Sequence, residues 1–194
     1  MKLSFGLKSV AVARTLRAAI AQIEDEAPDA VILDVNLPDA RGVDGIVTLH
    51  RLIPQVPITM ISADPDPALI GDAVAAGARG FLGKSLPRDE LVQALSRIWL
   101  GETVLPADYD PARRSDDDRQ RSEIIRRFAT LTPQQLRILR MVCLGKANKE
   151  ISYELSIAEA TVKTHLTAIM SKLDVRRRTQ AVRLAHTAQI FDLA

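Results

Sequence analysis

From Ser9 to Leu100 the chain alternates short apolar runs with single amphipathic stretches, and this pattern constrains the fold more than any other feature. Ser9–Ala13 (SVAVA), Ala30–Leu33, Ile58–Ile61 (ITMI) and Gly80–Leu82 read as strands, because they are short and apolar. Between them, apolar residues return at helical spacing over Leu16–Ile23, Val43–Ile53, Leu69–Ala76 and Arg88–Leu100. Pro54 stops the second of these helices, and Gly77 closes the third in a position that favours left-handed backbone. Strands separated by single helices require crossover connections of one hand. The result is a parallel sheet covered on both faces.

After Leu100 the pattern changes. Pro106–Arg121 (PADYDPARRSDDDRQR) mixes prolines with charge of both signs and offers almost nothing to bury, so it reads as a linker. The Asp116–Asp118 run within it reads as solvated rather than metal-binding. From Ser122 onward the chain is helical, with no strand-like run. Charge divides the same way: residues 1–119 hold 13 Lys+Arg against 18 Asp+Glu, a balance of −5. Residues 120–194 hold 13 against 6, a balance of +7, which suits a phosphate backbone as partner. The sequence therefore predicts an α/β domain over 1–105, a linker over 106–121 and an all-α domain over 122–194. No apolar run approaches the ~18 residues of a membrane span. The basic N-terminal stretch has Arg14 and Arg17 inside its only apolar core, which argues against a targeting peptide. Cys143 is the single cysteine and sits among Leu139, Met141 and Val142, so it reads as a small buried hydrophobe in a reducing cytoplasm.

Leu131–Val175 carries the most information. Thr132, Pro133 and Gln135 supply an N-cap hydroxyl, a first-turn proline and the amide of a capping box. Leu136, Leu139, Val142 and Cys143 form the apolar face of that helix, and Gly145 ends it. A short helix at Asn148–Leu155, a tight turn at Ser156–Ala158 and a longer helix through Leu173 follow. In the longer helix Val162, Leu166, Ile169 and Leu173 form one apolar stripe. Lys163, Thr164, Thr167 and Ser171 lie opposite, with no acid among them. A helix–turn–helix lays such a face in the DNA major groove, where lysine donates to guanine or phosphate and threonine donates, accepts or packs on a thymine methyl. Arg176, Arg177 and Arg178 form a cluster suited to phosphate contact.

These motifs resemble the LuxR-type helix-turn-helix domain of bacterial transcription regulators. LTP, Gly145 with Asn148–Ile151 (NKEI), TVKTH (Thr161–His165), KLDV (Lys172–Val175) and RTQAV (Arg178–Val182) match in order and spacing. The resemblance implies that Thr161–Leu173 contains the recognition helix, with Lys163, Thr164 and Thr167 reading bases and His165 and Lys172 on its flank. It also implies dimerisation through the helix from Thr179 to Thr187. Ala158 replaces the usual Ser or Thr cap of the recognition helix, a loss worth roughly 1 kcal/mol.

The front half resembles a response-regulator receiver of the NarL/FixJ type, a flavodoxin-like parallel sheet. VILDVNLPD (Val31–Asp39) ends its strand on Asp34, which the resemblance makes the phosphoacceptor. Ser62, Lys84 and Phe81 match the hydroxyl, the lysine and the aromatic residue of the phosphate switch. A nucleophilic carboxylate, a hydroxyl and a counter-charge at one sheet rim suit an acyl phosphate. In receivers Mg²⁺ is held there by the phosphoacceptor, a backbone carbonyl corresponding to Asn36 and an acidic pair after the first strand. SVAVA matches the family's second strand, and MKLSFGLK before it contains no acid, so the receiver reads as N-terminally incomplete. Two readings stay open. Met1 is internal to a longer protein with about 25–30 further residues on family spacing, or the receiver works without phosphate. For these residues alone, Mg²⁺-dependent phosphorylation of Asp34 is not expected.

The reading is a cytoplasmic, dimeric transcription regulator of two-component type that binds double-stranded DNA. A sensor histidine kinase and RNA polymerase are the further partners the resemblance implies. The alternative is a phosphorylation-independent module that titrates a kinase or a full-length regulator. An enzyme is not expected, since no glycine-rich phosphate loop follows a first strand.

Overall fold

A computed structural model describes residues 7–191. The α/β half contains α1 (Leu16–Asp25), β1 (Val31–Asp34), β2 (Asn36–Leu37), β3 (Ala40–Arg41), α2 (Asp44–Leu52), β4 (Ile58–Ser62), α3 (Pro67–Ala76), β5 (Gly80–Gly83) and α4 (Arg88–Trp99). A 3₁₀ turn (Pro111–Arg113) leads to α5 (Asp116–Phe128), α6 (Pro133–Cys143), α7 (Asn148–Leu155), α8 (Glu159–Lys172) and α9 (Arg178–Thr187).

β1, β4 and β5 form a parallel sheet in that order, with Asp34 opposite Ile61 and Ser62 opposite Gly83. The period of two sends alternate side chains to opposite faces. Ile32, Ile61 and Leu82 pack with Leu95 and Ile98 of α4. Leu33, Ile58, Met60 and Phe81 join Ile46, Leu49 and Ile70 from α2 and α3 in a core that continues into the helical half. Gly80 lets α4 come close: a Cβ there would lie 2.3 Å from Ile98 Cδ1. The expected parallel sheet with covering helices, and the all-α end, are both present.

Two expectations fail. SVAVA is not a strand: among the described residues Ser9–Ala13 has no ladder partner, and Val12 is 77% exposed. Alternating valines favour extended backbone but do not supply the neighbour whose amides complete a strand, and β1 is the last strand on its side among the described residues. The linker expected at 106–121 is also largely structured, and its boundary at Arg121 falls inside α5. Asp116–Asp118 lie in the first turn of that helix, where acids favour the helix dipole. Ser115 Oγ accepts from Asp118 N–H at 3.1 Å while Asp118 Oδ2 accepts from Ser115 N–H at 3.1 Å, a complete capping box.

VILDVNLPD thus contains two acids with different work. Pro38 and Asp39 form the turn of the β2–β3 hairpin. Asp39 also accepts from Leu16 N–H (2.8 Å) and Arg17 N–H (3.0 Å), capping α1 from across the fold. Desolvation opposes the charge on Asp39, but these amides outweigh it and hold the carboxyl below its ordinary value.

Candidate functional site

Three strand ends build the rim of the sheet. β1 delivers Asp34, β4 delivers Ser62, and Lys84 follows β5 directly. Lys84 Nζ donates to Asp34 Oδ2 at 2.6 Å, and Asn36 N–H donates to Asp34 Oδ1 at 3.1 Å. Partial desolvation pushes the Asp34 carboxyl up, yet the Lys84 hydrogen bond, the Asn36 amide and the Lys84 charge together bring it below its ordinary value. Asp34 is therefore a stable, accessible anion held by a cation. Ser62 is buried, and its hydroxyl is turned to its own loop, donating to Asp64 O at 2.9 Å and accepting from Asp64 N–H at 3.1 Å. Lys84 N–H donates to Ser62 O at 2.7 Å, which fixes the two strand ends to each other. Phe81 is fully buried in the core rather than on the rim.

Among the described residues, no group of three or more His, Cys, Asp or Glu could hold a metal ion.

The second surface lies on α8. Val162, Ile169 and Leu173 are buried, which orients the opposite face outward. Lys163, Thr164, Thr167 and Ser171 are all exposed on that face. Lys163 is 65% exposed and pairs with Glu159 one turn earlier at 3.1 Å, an exposed pair of little energetic weight. Thr164 and Thr167 donate to Ala160 O and Lys163 O, both at 3.1 Å, and both residues are exposed. His165 is half-buried on the flank. Lys172 Nζ instead turns inward, donating to Thr130 O and Gln135 Oε1 at 2.9 Å each. Gln135 also closes the box with Thr132, donating its N–H to Thr132 Oγ1 at 3.2 Å. Ala158 caps α8 with no side-chain bond.

The arginine cluster divides. Arg176 and Arg177 are exposed, and their backbone N–H groups both donate to Gln180 Oε1 at 2.9 Å. Arg178 was grouped with them for phosphate contact, but its guanidinium is committed elsewhere. It donates to Lys146 O, to Val142 O at 3.4 Å and to Asn148 Oδ1 at 3.4 Å. Sequence clustering does not show which arginine has carbonyls within reach. Cys143 is half-buried, and burial pushes its thiol up to about 11 against the opposing charge of Arg178, so it stays protonated at neutral pH.

One buried cluster had no counterpart in the sequence reading. Asp72, in the middle of the apolar α3, meets Arg114, Arg121 and Ser122. A single acid in PALIGDAVAA was the available signal.

A carboxylate–lysine pair at a parallel-sheet rim, joined to a helix–turn–helix, defines a two-domain regulatory protein. The "Response regulator receiver domain" model matches residues 2–96, and the "Bacterial regulatory proteins, luxR family" model matches residues 129–185. The Glycerol metabolism activator of Pseudomonas putida is 37% identical over 158 residues, covering 79% of this chain and 72% of that protein. The transcriptional regulatory protein LnrK of Bacillus subtilis is 33% identical over 182 residues, covering 90% and 83%. The nitrate/nitrite response regulator protein NarL of Escherichia coli is 29% identical over 164 residues, covering 84% and 76%. The chain belongs to the NarL/FixJ-type response regulators, with a receiver and a LuxR-type DNA-binding domain. No described helix is long and apolar enough to cross a membrane.

Proposed function

We propose that the chain is a cytoplasmic, homodimeric, sequence-specific DNA-binding regulator that engages the major groove with α8. One observation carries this reading. The face holding Lys163, Thr164 and Thr167 is open to solvent while the opposite stripe of the same helix is buried. Exposed Arg176 and Arg177 beyond its C-terminus supply phosphate contacts. Footprinting across a salt series tests it: protection that weakens steeply with salt supports the reading, and no protected site at low salt removes it. Lys163→Ala weakens specific binding by about 1–3 kcal/mol if the lysine reads a base; unchanged affinity takes Lys163 off the contact surface.

DNA binding in this chain is independent of phosphate on Asp34. The support is the closed Lys84–Asp34 pair and the lack of a carboxylate group for a divalent ion among the described residues. Asp34→Asn therefore leaves DNA affinity unchanged, with or without a small-molecule phosphodonor. A donor-dependent gain in affinity that Asp34→Asn abolishes would reverse this reading, and the kinase would then become a partner.

A further inference from the structure

At the amino ends of β4 and β5, opposite the rim that carries Asp34, a cavity of about 160 Å³ opens between the end of α2, the loop into β4 and the end of α4. Its walls divide by chemistry: Val56, Ile98 and Trp99 supply apolar surface, while His50 and Arg79 supply donors. Gly77 makes room for the His50 ring. Its φ of +108° suits glycine, and a Cβ there would lie 2.7 Å from His50 Cδ2. The main chain of Arg79 is pinned between two neighbours, its N–H donating to Ile58 O at 2.8 Å and its carbonyl accepting from Val104 N–H at 3.1 Å. The stem of that arginine is therefore placed before any ligand arrives, which lowers the ordering cost of binding.

Positive charge is unbalanced here. Burial, then the charges of Arg51 and Arg79, hold the His50 imidazole below its ordinary value, so it is a neutral N–H donor at pH 7. Neither arginine has an ion pair among the described residues, and Arg51 Nε is buried without a hydrogen-bond partner there. Glu102, beside Gly101 at the edge of the cavity, is already committed to Arg97 at 2.8 Å. An anion in the cavity relieves this crowding of positive charge, which no acid of the described residues does. The apolar wall adds a second requirement. A bare inorganic ion leaves Val56, Ile98 and Trp99 uncovered, whereas a cavity of ~150 Å³ accepts a molecule the size of benzene.

We propose that this cavity binds a small organic carboxylate, its apolar body against Val56, Ile98 and Trp99 and its carboxylate on Arg79 and His50. The site lies on the far side of the sheet from Asp34 and rests on neither the DNA-binding reading nor the state of that residue.

Benzoate added to the full chain at constant ionic strength tests the site, with benzyl alcohol as its uncharged counterpart and inorganic phosphate as the bare anion. Trp99 is the single tryptophan, so its emission reports on the cavity, while equilibrium dialysis counts bound probe. The expected result is one benzoate per chain with a Kd of about 1 mM or tighter, and a saturable change in Trp99 emission with the same midpoint. Benzyl alcohol binds roughly tenfold more weakly, for want of a charge-assisted contact. Arg79 is exposed, so Arg79→Gln keeps the parent's circular dichroism. It weakens benzoate roughly tenfold and leaves benzyl alcohol unchanged. No benzoate retained in dialysis, or equal retention by the parent and Arg79→Gln, overturns the site. Benzyl alcohol bound as tightly as benzoate overturns the carboxylate, and phosphate bound more tightly than benzoate overturns the organic body.

Discussion

Phe128→Ala lowers stability by about 3–5 kcal/mol, the cost of removing a fully buried aromatic side chain and leaving a cavity behind. Phe128 is the last residue of α5, and its carbonyl accepts from Leu131 N–H at 3.0 Å, so the ring cannot follow a collapsing core without dragging the turn into α6. Its neighbours Ile125 and Leu131 are also fully buried, which limits relaxation further. Two probes separate the halves during urea unfolding. Trp99 is the single tryptophan and lies on α4, so its emission follows the receiver. Far-UV circular dichroism is weighted toward the helical end. Two domains need not unfold in one step, and the comparison is therefore informative. The dichroism midpoint falls strongly in Phe128→Ala. If α5 is clamped to α3 as the buried cluster implies, the Trp99 midpoint falls with it. A dichroism midpoint within experimental error of the parent's would mean that Phe128 is not part of the core that holds the helical half.

The contrast between what the sequence disclosed and what it concealed follows from the range of the interactions. β1, β4 and β5 are legible because each is a β-branched or aromatic run between turn residues. The helices of the DNA-binding half are legible because their stripes and caps are local. Thr132, Pro133 and Gln135 announce the start of α6 within four positions of sequence, and the capping box forms as read. SVAVA misleads because a strand is a property of a pair, and periodicity describes only one member. The 106–121 segment misleads for a related reason. Its composition offers nothing to bury, but α5 begins there because the Ser115–Asp118 box and the docking of Arg114 and Arg121 on Asp72 stabilise it. Asp72 and Arg121 are 49 positions apart, beyond any local pattern. At the rim, the order of Asp34, Ser62 and Lys84 was visible, but the rotation of the Ser62 hydroxyl toward Asp64 was not. Hydroxyl orientation depends on loop geometry that composition does not encode.

Arg178→Ala separates arginines that act on DNA from one that holds the fold. The Arg178 guanidinium spans the end of α6 and the start of α7, reaching Val142 O, Lys146 O and Asn148 Oδ1 from the first residue of α9. Carbonyls beyond a helix C-terminus lack intrahelical donors and carry the negative end of the dipole, so a half-buried cation there is favourable. Hydrogen bonds from a charged donor are worth about 1.5–3 kcal/mol each when well formed, and two of these three are long. Removing them together costs the DNA-binding half about 2–3 kcal/mol. Thermal unfolding followed by circular dichroism reads that loss. The salt dependence of DNA binding by the folded fraction is then the second test. A phosphate-contacting arginine contributes about one unit to the slope of log affinity against log salt. Arg176→Ala and Arg177→Ala each flatten that slope, whereas Arg178→Ala leaves it as in the parent while lowering the melting temperature. A flattened slope with undiminished stability would return Arg178 to the phosphate-contacting cluster. The fold and the DNA surface meet at this one residue, and only the paired measurement assigns it to one of them.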